Sequence, residues 1–194
     1  MTRAARISSK VLSTRLSASH TVANYLRMKR AEDAKGIAEL IRSRLNERYW
    51  QPVGSGSQSG FVQLAISCLL IEFFWSLKKG WKDSNHMSRR SFEEFFGESS
   101  RFTEIRRHAN AFYTHVRCGL LHQAETTGGW KVSRSVAQKK LLDGRTKTIQ
   151  AHRFFAALKA EIGEFLNQLA TTPLRDSDWK PVLKKLDYIV ANCR

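Results

Sequence analysis

Acidic residues are what this chain lacks most visibly: none precedes Glu32, and the whole sequence holds 17 against 33 lysines and arginines. Cysteine is scarce too. Cys68, Cys118 and Cys193 are odd in number and far apart, which suggests no disulfide framework and points to a reducing compartment, with the cytoplasm as the expected location. Only three prolines interrupt the 194 residues, as suits a folded domain. No secretory signal pattern is apparent. The longest apolar run, FVQLAISCLLIEFFWSL over 61–77, is short of the ~20 residues a membrane helix needs. It also contains Glu72, so it reads as a buried core helix, and no membrane partner is expected.

What is present is positive charge. A net +16 on 22.2 kDa calls for an anionic partner. Nucleic acid comes first because phosphate contacts scale with lysine and arginine; an acidic protein or an anionic membrane surface would also fit the charge. Residues 1–31 combine Arg3, Arg6, Lys10, Arg15, Arg27, Lys29 and Arg30 with several serines. They suit a basic arm or an organellar targeting segment. The arm is the expectation carried forward, flexible over 1–18, with one domain over 19–194.

Hydrophobic spacing of three and four residues predicts mostly helix. One long amphipathic helix is expected over about 20–50, weakened near Gly36, then a loop over QPVGSGSQSG (51–60). A buried helix over 61–79 should end at Gly80, and Glu72 inside it must meet a basic group or a proton. A short helix follows at 91–96. Ser99 or Ser100 can cap a helix over about 101–126, ended by TTGG. The alternation in WKVSRSV (130–136) and the Asp143-Gly144 turn signal predict a small β-hairpin. Helices return over 151–170 and 178–192, separated by Pro173. The fold class expected is mainly α, a helical bundle with one small inserted β-hairpin. The phenylalanines and tryptophans mostly fall at core spacing rather than in stacking platforms.

Arginine followed after four to six residues by histidine occurs four times: Arg15/His20, Arg101/His108, Arg117/His122 and Arg145/His152. Chance alone gives roughly two, so spacing does not select among them. Context does. Only Arg117/His122 is expected deep in a helix among apolar residues, Val116, Leu120 and Leu121, with Gly119 between.

The stretch VRCGLLHQAET (116–126), followed by Gly129-Trp130-Lys131 and preceded by the buried helix with Ile71-Glu72, resembles the HEPN superfamily, in particular small bacterial members, over roughly 60–170. The resemblance implies a HEPN-like helical bundle and a metal-independent endoribonuclease without cofactor. It implies a homodimer with Arg117 and His122 as the catalytic pair, a toxin or anti-phage role, and an antitoxin or regulatory protein as a further partner. Where the family commonly has Asn, Asp or His after the arginine, this chain has Cys118, a weak hydrogen-bonding thiol. A non-catalytic module that binds nucleic acid or a partner is therefore the alternative, and an unrelated RNA-binding protein a third.

On a straight helix, residues five apart point about 140° away from each other. Arg117 and His122 can then share a phosphate only through a helix distortion, for which Gly119 is the candidate, or across a two-fold axis. In such a site Arg117 would stabilise the charged phosphorane and His122, with an ordinary pKa near 6.5, would move protons. Cys118, Glu72 and Glu125 are supporting candidates: Glu72 as partner of an arginine on the 101–126 helix or as a group that orders Arg117, Glu125 as a carboxylate orienting His122 or as part of a solvated stripe. His115, Cys118 and His122 share a face, yet ligands from one straight helix suit zinc poorly, and no metal is expected. Lys139, Lys140, Arg145 and Lys147 on the expected hairpin are candidates for RNA backbone contact, against the plainer reading of a solvated loop.

Overall fold

A computed structural model describes residues 8–54 and 59–193. Its helices, in chain order, are α1 (Ser9–Ser13), α2 (Val22–Arg30), α3 (Ala34–Leu45), α4 (Gln51–Gly54), α5 (Gly60–Lys79), α6 (Ser88–Glu98), α7 (Thr103–Arg106), α8 (Ala109–Phe112), α9 (Cys118–Gln123), α10 (Ala151–Thr171) and α11 (Trp179–Ala191). A small sheet of β1 (Lys131–Ser133), β2 (Leu142–Asp143) and β3 (Thr148–Gln150) precedes α10. The fold is mainly α.

α5 is the central post. It packs against α6, α10 and α11, and α10 packs in turn on α3. Its sequence explains why: Leu64, Cys68, Leu70, Ile71, Phe74, Trp75 and Leu77 are all buried, so nearly every side of the helix meets protein. Burying each large apolar side chain contributes about 1.5–3 kcal/mol. By length and composition α5 is apolar enough to cross a membrane, but most of that apolar stretch is buried inside the fold. Gly80 stops it at φ +66 and receives Pro181 of α11 so closely that a Cβ would stand 2.9 Å from the Pro181 Cα. A second core layer is aromatic. Phe112 stacks on Phe154 at 5.4 Å, and Phe92, Phe96 and Phe102 close around them.

Several expected boundaries moved. The long helix over 20–50 is two helices with the corner at Glu32 (φ +54) and Asp33, not at Gly36. Asp33 caps α3 by accepting from the Gly36 N–H at 2.8 Å. Gly36 serves close packing, since a Cβ there would stand 2.7 Å from Met28 Sδ. The loop expected over 51–60 starts as the helical turn α4, and 55–58 lie outside the described residues. The flexible arm expected over 1–18 is folded from residue 8 onward. Leu16 is buried, its carbonyl accepts from Arg44 and Arg48, and Arg15 bridges to Thr21. Residues 1–7 of that arm lie outside the described residues.

The helix expected over 101–126 is broken at Arg107–His108 and ends at Gln123. No proline or glycine marks the break. Tertiary bonds hold it: Arg106 donates to the carbonyls of Phe96 and Ser99, and Glu104 accepts from the Leu142 N–H. The β-hairpin exists only between β2 and β3. Instead of pairing antiparallel, the WKVS strand adds alongside β3 in parallel, giving the order β1-β3-β2. Strand pairing is a long-range choice that alternation within one segment does not encode.

Candidate active site

Glu72 projects from the middle of α5 with both carboxylate oxygens engaged. Oε1 accepts from Arg117 Nε at 2.7 Å; Oε2 accepts from the hydroxyls of Ser84 at 2.5 Å and Ser88 at 2.9 Å. The two charged side chains are only 12% and 16% exposed, Glu72 and Arg117 respectively. Two charges taken from water at that depth are tolerated because donors surround the carboxylate. Burial pulls the Arg117 pKa down. The hydrogen bond and charge of Glu72, helped by Cys118 and Tyr113, outweigh that, and the net shift is upward. Arg117 is a permanent cation fixed at one nitrogen.

The backbone around Arg117 is not regular α-helix. Tyr113–Arg117 forms a π turn in which the Cys118 N–H reaches the Tyr113 carbonyl five residues back. Such single wide turns are frequent at functional sites. The Tyr113 ring lies 5.6 Å from the Arg117 guanidinium and 4.7 Å from that of Arg89, which also donates to Asn110. Burial, then the hydrogen bond and charge of Cys118, push the Tyr113 hydroxyl up in pKa, with Arg117 opposing. Cys68 lies beneath the pair, wholly buried, and burial keeps its thiol protonated far above the usual range.

Beside the ion pair runs a groove of about 450 Å³, lined by Ile66, Leu69, Glu72, Phe73, Arg117 and Leu121. Leu121, four residues after Arg117, shares this groove and is 51% exposed; Leu69 is 43% exposed. His122 is one position further round. It is exposed, and it makes no hydrogen bond or ion pair among the described residues. From Arg117 onward the helix is regular, so the two side chains keep the angle of about 140° expected of residues five apart. One chain does not bring Arg117 and His122 together.

Gly119 is not where the helix distorts. Its carbonyl accepts the N–H groups of Ala124 and Glu125 as the chain turns back, and a Cβ would stand 2.5 Å from the Glu125 carbonyl oxygen. Ala124 takes the left-handed conformation that ends α9. Glu125 therefore lies past the helix, where its carboxylate accepts from the N–H of Thr126 rather than orienting His122. His115 faces the returning chain, with Nδ1 3.0 Å from Thr127 Oγ1.

Lys139, Lys140, Arg145 and Lys147 lie apart from this site, on and around the β2–β3 turn. All four are exposed, and Lys147 donates to the Gly128 carbonyl at 3.0 Å. The site residues that sequence reasoning missed are Tyr113, Ser84, Ser88 and Arg89. Tyr113 is one turn before Arg117, so helical spacing offered a signal for it; Ser84 lies in the loop before α6 and Ser88 at its first residue, and nothing in the local sequence marked them. Nothing offered one for Arg89. Compared with protein-family models, with curated proteins and with solved structures, the chain matches none of them.

Proposed function

We propose that this protein is a metal-independent endoribonuclease of the HEPN type that acts as a homodimer. The observation that carries the reading is the asymmetry of the pair. Arg117 is anchored through Nε by Glu72, which leaves its Nη donors for a phosphate, while His122 is exposed and unbonded among the described residues. Because they diverge on one chain, a second copy related by a two-fold axis supplies the complementary half. Exposed Leu121 next to His122, and Leu69 across the groove, suit a face that a second copy covers.

The chemistry needs no group beyond side chains and RNA. The ribose 2′-oxygen bonds to the adjacent phosphorus as the P–O5′ bond breaks. The products are a 2′,3′-cyclic phosphate and a 5′-hydroxyl. Arg117 stabilises the negative charge that builds on the phosphorane oxygens. His122 takes the proton from the 2′-hydroxyl as the 2′-oxygen attacks and returns it to the leaving 5′-oxygen. A role as toxin or anti-phage effector, held in check by an antitoxin or regulatory protein, follows from the same reading. Incubation of the purified protein with total RNA in EDTA tests it, beside an Arg117→Ala/His122→Ala control. Cleavage by the wild type alone is the expected result. RNA left intact by both overturns the reading.

One observation favours a second reading. The residue after Arg117 is Cys118, whose thiol is turned to Tyr113 and Arg117, so no strong hydrogen-bonding group from that position reaches the groove. Binding of RNA without cleavage would establish the non-catalytic module instead.

A further inference from the structure

We infer that the cleft between α7 and the β2–β3 turn is a seat for a backbone phosphate of a polynucleotide, with Arg107 and Lys140 as its donors. The inference rests on the proposed reading only for the identity of the polymer as RNA. The cleft encloses about 410 Å³ and is lined by Glu104, Arg106, Arg107, Lys140, Asp143 and Gly144. Most of its polar side chains already have hydrogen-bond partners in the protein. Glu104 accepts from the Leu142 N–H at 3.1 Å. Asp143 accepts from the N–H groups of Arg145 and Thr146 at 3.0 and 3.3 Å. Arg106 is turned to the carbonyls of Phe96 and Ser99. Arg107 and Lys140 remain, and neither has a carboxylate partner among the described residues.

Arg107 uses only Nε, which donates to His108 Nε2 at 3.2 Å. That bond makes Nε2 an acceptor and leaves the imidazole neutral. The Nη end of Arg107 faces Gly144, where a Cβ would stand 3.4 Å from Nη2. That is ordinary contact distance, so the turn borders the guanidinium without closing on it. Burial first, then the charges of Arg107 and Lys147, hold the His108 pKa below its ordinary value.

The surroundings favour a polymer over an isolated anion. From 126 to 160 the chain has eight lysines and arginines and one acid, Asp143. Lys139 and Arg145 are exposed beside the cleft and would meet neighbouring phosphates of a strand. By contrast Lys78 and Lys79 are paired with Glu94 and Glu98 and lie against Trp75. The planar fork of an arginine next to a lysine point charge suits one phosphodiester.

The test uses the full chain carrying Arg117→Ala and His122→Ala, so that binding is read without cleavage. A fluorescent single-stranded RNA is titrated at several KCl concentrations, against the same protein with Arg107→Gln and Lys140→Gln added. The expected result is at least a tenfold loss of affinity at low salt and a salt slope reduced by about 0.7, as for one phosphate contact on a single strand. A charge-matched control, Lys78→Gln/Lys79→Gln, should stay within twofold. Equal loss in both variants would mean diffuse attraction, and the seat would be abandoned; so would an unchanged slope. Inorganic phosphate is the third arm. If it displaces RNA no better than KCl of equal ionic strength, the site reads a polymer. If it moves the His108 and Arg107 NMR signals at concentrations where RNA does not, the seat is for free phosphate and the polymer claim falls. Cleavage by the unmutated chain is scored separately, so failure of the nuclease reading leaves this result interpretable.

Discussion

Arg117 Nε and Glu72 Oε1 are 2.7 Å apart, and this bond joins the π turn before α9 to the middle of α5. It settles what the buried acid of the apolar helix is for. With Ser84 and Ser88 on its second oxygen, Glu72 aims one nitrogen of Arg117 and leaves the rest of the guanidinium to the groove. An arginine so held loses little side-chain entropy when it meets a phosphate.

Removing one partner of that pair should cost more than neutralising it. Glu72→Ala leaves Arg117 and two hydroxyls unpaired, a loss of about 3 kcal/mol. For a chain of this size that lowers Tm by roughly 6–12 °C. Glu72→Gln keeps an acceptor near Arg117 Nε and should lose distinctly less. Thermal unfolding of both variants decides; equal losses would show that the negative charge, and not the shape or the retained acceptor, is what Glu72 contributes.

Two glycines should respond to alanine with opposite sign. At Gly119 a Cβ would press on the Glu125 carbonyl oxygen at 2.5 Å, and backbone gives way at a cost of about 2 kcal/mol. At Gly163 in α10 nothing lies within 4 Å of the new Cβ. Gly163→Ala should stabilise by about 0.4–1 kcal/mol through helix propensity and a stiffer unfolded chain. Urea midpoints measure both, and a neutral Gly119→Ala would mean the return of the chain after α9 is loose.

The helices with uninterrupted apolar periodicity, α5, α10 and α11, were legible to within about two residues, because burial on one face or all round leaves its mark in local sequence. The breaks were not. The corner at Asp33 is a local cap, Asp33 to the Gly36 N–H, that the periodicity of the flanking helices masked, while the interruption at Arg107–His108 is held by bonds to residues outside its own helix, as in Arg106 to Phe96 and Glu104 to Leu142. The parallel pairing of β1 with β3 is equally non-local. At the site, the need of Glu72 for a cation was readable from burial cost alone. Arg117 as its partner and the divergence of His122 were readable too, the latter from the five-residue spacing; that Tyr113 and Arg89 cluster there depends on a π turn no residue type announces.

Acid should weaken the fold through His108. Burial and the charges of Arg107 and Lys147 lower its folded-state pKa below the ordinary 6.5, while the ring of Trp130 stands edge-on to it. The unfolded chain then binds the proton more readily. The stability tied to the neutral ring is fully present above 6.5 and is lost as pH falls from there toward the lower folded value. Arg107→Gln removes one like charge and should move the His108 pKa up. NMR titration of the ring reads this directly. A wild-type value at or above 6.5 would contradict it.

The composite site makes a prediction that a site within one chain does not share. Arg117→Ala should remove charge stabilisation, roughly 10²-fold in rate, and His122→Ala proton transfer, roughly 10²–10⁴-fold. Mixing the two inactive variants after unfolding and refolding lets them pair at random. In a mixed dimer with sites shared across the two-fold, one site has both damaged residues and the other has an intact Arg117 from one chain facing an intact His122 from its partner. Half of the dimers are mixed and each holds one good site of two, so activity should return to about one quarter of wild type. If each site used Arg117 and His122 of the same chain, no pairing would restore either and the mixture would stay inactive. The readout is cleavage of a fluorescent RNA in EDTA, with a 2′-deoxy substitution at the cut site as the negative control. Recovery near one quarter with intact RNA and none with the deoxy substrate is the expected outcome. An inactive mixture whose dimers are confirmed by light scattering would rule out the shared site, and a protein that scatters as a monomer at micromolar concentration would rule it out sooner.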